Sequence, residues 1–367
     1  MTSSEPTATA SQDSAYRRSG VDTEGADRAL HRMLPHVRAT WDDKVALQTL
    51  NHFANVVDIG GIGIAIATDG VGSKALVAQL VGRYDTIGID CVAMNVNDLV
   101  CVGARPVSMV DYIALECTDA AVLEALAVGL AEGARRAGIS LVGGETAQLP
   151  DIIKGVRPGL GFDLAGTAIG QVALDQVLTG ADIADGDVVI GLASSGIHSN
   201  GLSLARRALL DRGGFGIDQR FDELGCSLGN ELLRPTEIYV GDALALIDGV
   251  AALRSLFHIT GDGFLNLNRL GTGVGYVLDR LPAAPPIFGL IQTHGAVPAA
   301  EMYSVFNMGI GFCAVVGPDD AERALSILKA RGRVAQVIGH MEADAEERVH
   351  LPAQRLVGQG KAFAATE

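Results

Sequence analysis

Thr68-Asp69-Gly70-Val71-Gly72-Ser73-Lys74 closes a short β-type run that begins at Gly63, so a strand leads straight into a glycine turn carrying an acid and a lysine. An acid suits a magnesium ion, two glycines let backbone amides come close to a phosphate, and a lysine supplies charge to neutralise it. The same seven residues are also compatible with an Asp-Gly turn beside a solvated lysine. Two common nucleotide signatures are missing: no G-x-x-x-x-G-K-[ST] occurs, and no G-x-G-x-x-G sits between a strand and a helix. Any nucleotide site must be built differently.

Outward from this turn, Gly88-Ile89-Asp90 and Asn95-Val96-Asn97-Asp98 place two more acids and two amides in a stretch otherwise rich in Val, Met and Leu. Polar groups in an apolar stretch need partners. Magnesium keeps several waters and takes substrate phosphates, so dispersed carboxylates suit it; helix capping is the other reading of Asn95 and Asn97. Gly143-Gly144-Glu145-Thr146 follows the apolar Ile139–Val142 and suggests a strand ending where the backbone passes a ligand, with Glu145 aimed at metal or substrate. A β-bulge with a surface glutamate fits the same residues. In the second half, Ser194-Ser195-Gly196-Ile197-His198-Ser199-Asn200-Gly201 lies between a strand and a helix. Hydroxyls, amides and a helix N-terminus make an anion site, to which His198 can add a proton or a positive charge. Thr260-Gly261-Asp262-Gly263 and Phe306-Asn307-Met308-Gly309-Ile310-Gly311 are further glycine turns.

The 367 residues carry 43 acids against 28 bases, a net charge of −15, which argues against a nucleic-acid partner. At 48% hydrophobic and 19% charged the chain is globular, long enough for two cores. Its longest apolar stretch, Ile59–Ala67, is about half what a bilayer crossing needs, and no signal pattern opens the chain. The expectation is a cytoplasmic protein with no membrane partner. Five dispersed cysteines without a C-x-x-C pair imply reduced, mostly buried thiols, with neither a disulfide framework nor a zinc site. Periodicity predicts a helix over 26–37, a strand at 63–68, a strand start with a helical tail over 86–99, a strand at 107–115, a helix over 119–137, and strands at 141–146 and 162–172. After an Asp/Gly-rich break at 175–187 come a strand at 188–193, helices near 202–210, 239–253 and 319–331, and a strand at 335–338. The class is mixed α/β in two lobes: a disordered tail over 1–14, one domain over 15–178 and an α/β domain over 179–367.

In order along the chain, these segments resemble one family, the phosphoribosylformylglycinamidine cyclo-ligases, or aminoimidazole ribonucleotide synthetases. The resemblance runs from Tyr16-Arg17-Arg18-Ser19-Gly20-Val21-Asp22 through Thr68–Lys74, Tyr84–Asp90, Val92–Leu99, Gly143–Ala147, Ser194–Gly201, Pro235–Val240 and Glu301–Gly311 to about Val349. It implies a two-lobed subunit and a homodimer whose N-terminal strands form a barrel across the interface, with ATP bound near it. It also implies an ATP-driven closure of formylglycinamidine ribonucleotide to aminoimidazole ribonucleotide. On that resemblance Asp69, Lys74 and His198 are catalytic. Thr68, Gly70, Gly72, Asp90, Asn95, Asn97, Asp98, Gly143, Gly144, Glu145 and Thr146 bind Mg-ATP, with Asp69, Asp98 and Glu145 as metal ligands. Ser195, Gly196, Ser199, Asn200 and Asn307 face the substrate. Two stretches depart from the family: Gly261-Asp262-Gly263 stands where three glycines are expected, and His52–Asp58 replaces a Gly-Phe-Gly-type run. Selenophosphate synthetases share the architecture but carry a reactive residue near the N-terminus, whereas the first cysteine here is Cys91. A nucleotide-binding paralogue without turnover is the non-enzymatic alternative.

Overall fold

The computed structural model describes residues 14–46, 52–271 and 273–366. The tail expected over 1–14 lies outside them except for Ser14, whose hydroxyl accepts from the Arg17 amide and caps α1 (Ala15–Arg18). An exposed helix, α2 (Thr23–Arg38), follows. The N-terminal sheet has five strands: β1 (Asn55–Ile59), β2 (Ile62–Gly70), β3 (Arg105–Leu115), β4 (Ser140–Gln148) and β5 (Phe162–Ala173), in the order β1-β2-β5-β3-β4. Only β3 and β4 run parallel, because α5 (Ala120–Ala137) carries the chain back across the sheet between them.

Two more helices set the site. The first, α3 (Lys74–Val81), starts directly after the glycine turn; the second, α4 (Ile87–Cys101), lies under the sheet. The strand start expected over 86–99 is absent, since α4 is helical from Ile87. Every α4 side chain except that of Asp98 is buried, and a helix apolar on all sides shows the same unbroken hydrophobic run as an enclosed strand. Glycine makes the packing possible. A Cβ on Gly88 would stand 2.1 Å from the Leu130 amide nitrogen, and one on Gly129 would stand 2.3 Å from the Asp85 carbonyl. The strand end expected at Gly143-Gly144 is also absent: β4 continues to Gln148, with a register shift opposite Met109 and Val110, which is the bulge reading.

The second sheet has eight strands, in the order 362–365, 356–359, 349–351, 274–277, 335–343, β6 (Val188–Ala193), 310–316 and 253–258. The 310–316 strand is buried throughout. Between the lobes α4 packs on β2 and β5 from one side and on the 253–258 strand and the Val240–Gly249 helix from the other. The polar residues of α4 therefore look into the seam where the lobes meet. Among the described residues no helix is long and apolar enough to cross a membrane, and all five cysteines are free, with Cys117 exposed.

Candidate active site

Strand alternation decides which way the first motif points. In β2 Gly63, Ala65 and Ala67 are buried and Ile62 and Ile66 exposed, so Asp69 falls on the inner face toward α4 and Thr68 on the outer one. Register then places Asp69, Gly166, Asp111 and Gly144 in one row across the sheet. A Cβ on Gly166 would meet Asn95, Cys91 and Met109, confirming that this row faces α4. The absence of a side chain at Gly144 makes room for the Asp111 carboxylate, which a Cβ there would meet at 2.6 Å. Asp111 is an inner-face acid that sequence reading missed, and burial raises its pKa.

Asp69 accepts from the Gly70 amide at 2.7 Å, and its own carbonyl accepts from Asn95 Nδ2 at 3.1 Å. Burial and the charge of Asp98 push its carboxyl up from 3.8 to about 6. Asp98 meets His258 Nδ1 at 2.9 Å, and His258 Nε2 lies 3.4 Å from Asn97 Nδ2. Asn97 spans the lobes: its Nδ2 donates to the Glu237 carbonyl and its Oδ1 accepts from the Tyr239 amide, both at 2.9 Å. Asn95 and Asn97 are thus buried ties between elements and neither caps α4; both groups of the Asn97 amide are occupied, whereas Asn95 Oδ1 is buried without a partner. His258 was not signalled by any motif, because its partner lies 160 residues away.

Lys74 and Asp90 depart from expectation in the same way. The Lys74 side chain is wholly buried, with Nζ donating to Asp90 Oδ1 at 2.8 Å and to the Arg234 carbonyl at 2.6 Å. Its ammonium is enclosed instead of facing an open phosphate site. Burial lowers its pKa while the Asp90 carboxylate opposes that fall.

In the C-terminal lobe the Ser194–Gly201 loop rises from β6. His198 sits at φ 68° and is 1% exposed; burial, with the charges of His258 and Lys74, drives its pKa well below the usual range. Its Nε2 accepts from the Ser195 amide at 3.3 Å, and its Nδ1 is buried without a hydrogen-bond partner; the lowered pKa disfavours the positive charge expected of it and leaves the role of proton donor open to Nδ1. Asn307 is likewise a staple: it donates to the Gly196 and Ile197 carbonyls and accepts from the Gly309 amide and the Ser194 hydroxyl. With its amide consumed this way, Asn307 does not face a substrate. Ser195, Ser199 and Asn200 remain half-buried near the seam while Gly196 is buried, and Asn200 Oδ1 lies against Gly261. Ser203 at the start of the next helix donates to Ser73 at 3.0 Å, bringing this loop to the glycine turn. Asp262, the departure in the third turn, is paired with Lys361 at 3.0 Å and lies 4.0 Å from Arg269.

The donor set suits magnesium. Asp69 and Asp98 are two carboxylates close enough to raise a pKa, and a divalent cation relieves that repulsion. Among the described residues no group of three or more His, Cys, Asp or Glu is gathered to hold a metal ion. Glu145 does not join them. It stands in the row of Tyr112, Ala165 and Gly70 on the outer face, three strand spacings or about 14 Å from β2. Gly143 and Thr146 lie on the same edge strand, equally far from Asp69.

Comparison with known proteins agrees with this architecture. Family models match along most of the chain: AIR synthase related protein, N-terminal domain, over residues 51–172, and AIR synthase related protein, C-terminal domain, over residues 184–352. The class is therefore a two-domain protein of the AIR synthase type. A phosphoribosylformylglycinamidine cyclo-ligase from Methanobrevibacter smithii is 47% identical over 90% of this chain and 95% of its own length. One from Methanothermobacter thermautotrophicus is 49% identical over 86% and 91%. The chain belongs to the phosphoribosylformylglycinamidine cyclo-ligase family. Solved structures share the fold at lower identity. A thiamine-monophosphate kinase from Stenotrophomonas maltophilia superposes with a TM-score of 0.58 at 21% identity, covering 86% of this chain and 94% of that one. A hydrogenase maturation protein HypE in complex with ATP superposes at 0.58 and 18%, covering 92% and 95%.

Proposed function

We propose that this chain closes formylglycinamidine ribonucleotide to aminoimidazole ribonucleotide with ATP, releasing ADP and phosphate, as a ligase that forms a carbon–nitrogen bond in purine biosynthesis. The observation that carries the reading is identity of 47% to a cyclo-ligase along nearly the whole of both chains. The local feature that supports it is the approach of the two lobes, where Asp98 lies beside Asp69 and Ser203, just past the Ser195–Asn200 loop, bonds to Ser73 of the glycine turn.

The formyl oxygen is a poor leaving group. Its bond to the γ-phosphorus forms as the bond to ADP breaks; a nitrogen of the same substrate then attacks the activated carbon, and phosphate leaves with the oxygen. Magnesium, when bound, neutralises phosphoryl charge, and Asp69 and Asp98 are the residues that would hold it. Gly72, exposed and in the left-handed φ of 58° that the turn needs, presents its backbone amide to the nucleotide, while the Gly70 amide holds the Asp69 carboxylate. Ser195, Gly196, Ser199 and Asn200 orient the ribonucleotide from the opposite lobe. His198 braces that loop through the Ser195 amide. Burial of the seam excludes water, which would otherwise take the activated carbon.

The functional unit in this reading is a cytoplasmic homodimer. The outer face of the N-terminal sheet leaves Ile62, Ile66, Val110, Tyr112, Val142 and Ile169 exposed, 37–65% each. Such a face needs a cover, and a second copy closing a barrel supplies it. Thr68 and Glu145 lie on this face, so any part they take in the site is played at the interface.

The test is steady-state turnover with Mg-ATP and formylglycinamidine ribonucleotide, following ADP and aminoimidazole ribonucleotide together. Equal yields are expected. ADP without the imidazole would move the chain to another phosphoryl acceptor.

A further inference from the structure

Lys74 and Asp90 form a fully buried ion pair, and its further hydrogen-bond partners, Arg234 and Thr236, belong to the other lobe. Asp90 Oδ1 accepts three bonds: from Lys74 Nζ at 2.8 Å, from the Thr236 amide at 2.6 Å and from the Thr236 hydroxyl at 2.6 Å. Lys74 adds the Arg234 carbonyl at 2.6 Å. The pair thus grips residues 234–236, which in turn grip the substrate loop. Ser195 Oγ donates to the Pro235 carbonyl at 2.5 Å, and Ser199 Oγ lies 3.4 Å from Thr236 Oγ1. The pair thus adds a tie between the lobes next to the glycine turn that ends in Lys74 itself.

We infer that Lys74 and Asp90 are positioning residues that fix the Ser195–Asn200 loop through Pro235 and Thr236, and that Lys74 does not touch the nucleotide. Burying two charges is costly and gives little net stability over an apolar pair, so a pair kept here acts through geometry. A lysine meant for phosphate would need its ammonium exposed to the cleft, whereas this one has no accessible surface. The inference rests on the cyclo-ligase reading for its kinetic consequences but not for its geometry.

Two experiments test it. Acylation of lysines in the wild-type protein, mapped by mass spectrometry with and without Mg-ATP, is expected to leave Lys74 unmodified in both states. Labelling that Mg-ATP suppresses would overturn the inference whether or not the chain has the proposed activity. The second compares Lys74→Met, Lys74→Arg and the charge-neutral double variant Lys74→Met with Asp90→Asn, which keeps an acceptor for Thr236. Positioning predicts that Lys74→Met lowers kcat by about a hundredfold and raises KM for the ribonucleotide, with KM for ATP within about twofold of wild type. It further predicts that Lys74→Arg is no better, because the longer fork has no room, and that the double variant recovers at least tenfold over Lys74→Met. A raised KM for ATP, restored by arginine and not by the double variant, would assign Lys74 to phosphate instead.

Discussion

Replacing Asp69 by asparagine should make the protein more stable while it abolishes turnover. Burial and the neighbouring Asp98 raise this carboxyl from 3.8 to about 6, so ionising it in the folded protein costs free energy that the unfolded chain does not incur. The sign follows from proton counts. Between about pH 4 and 6 the folded state holds more protons than the unfolded one, so stability falls as pH rises through that window. Above it the full cost applies, about 3 kcal/mol at 1.36 kcal/mol per pH unit. Asparagine keeps the size and an acceptor for the Gly70 amide but carries no charge, so the variant escapes the cost. Urea unfolding in EDTA should show Asp69→Asn more stable by up to about 3 kcal/mol at pH 7.5, with the advantage shrinking by about 2 kcal/mol at pH 4.5. Magnesium should narrow the gap at pH 7.5 by stabilising the wild type alone. A variant no more stable than wild type at pH 7.5, or an advantage independent of pH, would refute the claim that two facing carboxylates are held in readiness for a cation.

Three other perturbations are expected to have separable effects. Gly88→Ala drives a methyl into the α5 backbone and should cost about 3 kcal/mol or more in urea unfolding, with Gly129→Ala similar, because backbone cannot give way as a side chain can. His52 donates from Nε2 to the Leu178 carbonyl and accepts the Phe53 amide on Nδ1; burial holds it down to about 4. Its contribution is present above about pH 6.5 and should be lost as pH falls toward 4, by up to about 3 kcal/mol, a slope that His52→Asn should flatten in the same assay. Ile66→Asp on the outer sheet face should shift sedimentation from a dimer toward the 38.0 kDa protomer, while Val334→Asp, 74% exposed in the other lobe, should not.

Local chemistry was legible in the sequence, and distant pairing was not. The Asp69 turn, the Ser194–Gly201 loop and the alternating strands and helices stand where composition and periodicity place them, because turns and strand alternation are properties of neighbouring residues. Lys74 was misread because its partners lie 16 and 160 residues away, and nothing in Gly72-Ser73-Lys74 tells an enclosed ammonium from a solvated one. Asn307 was misread for the same reason: a buried amide that staples a loop and one that meets a ligand look alike until the loop is in place. Glu145 stands apart from Asp69 within one chain, since grouping the two by sequence ignores both strand order and the face each residue takes. Asp111 and His258 went unseen because each is a lone polar residue at the inner side of a strand, recognisable only when the row or the seam is assembled.

The most direct test of the account follows one oxygen atom. Formylglycinamidine ribonucleotide labelled with oxygen-18 in the formyl group, turned over with Mg-ATP in unlabelled water, should deliver the label into the released phosphate, one atom per aminoimidazole ribonucleotide formed. Release of unlabelled phosphate, with the heavy oxygen lost to water, would contradict phosphorylation of the formyl oxygen and with it the role given to the seam.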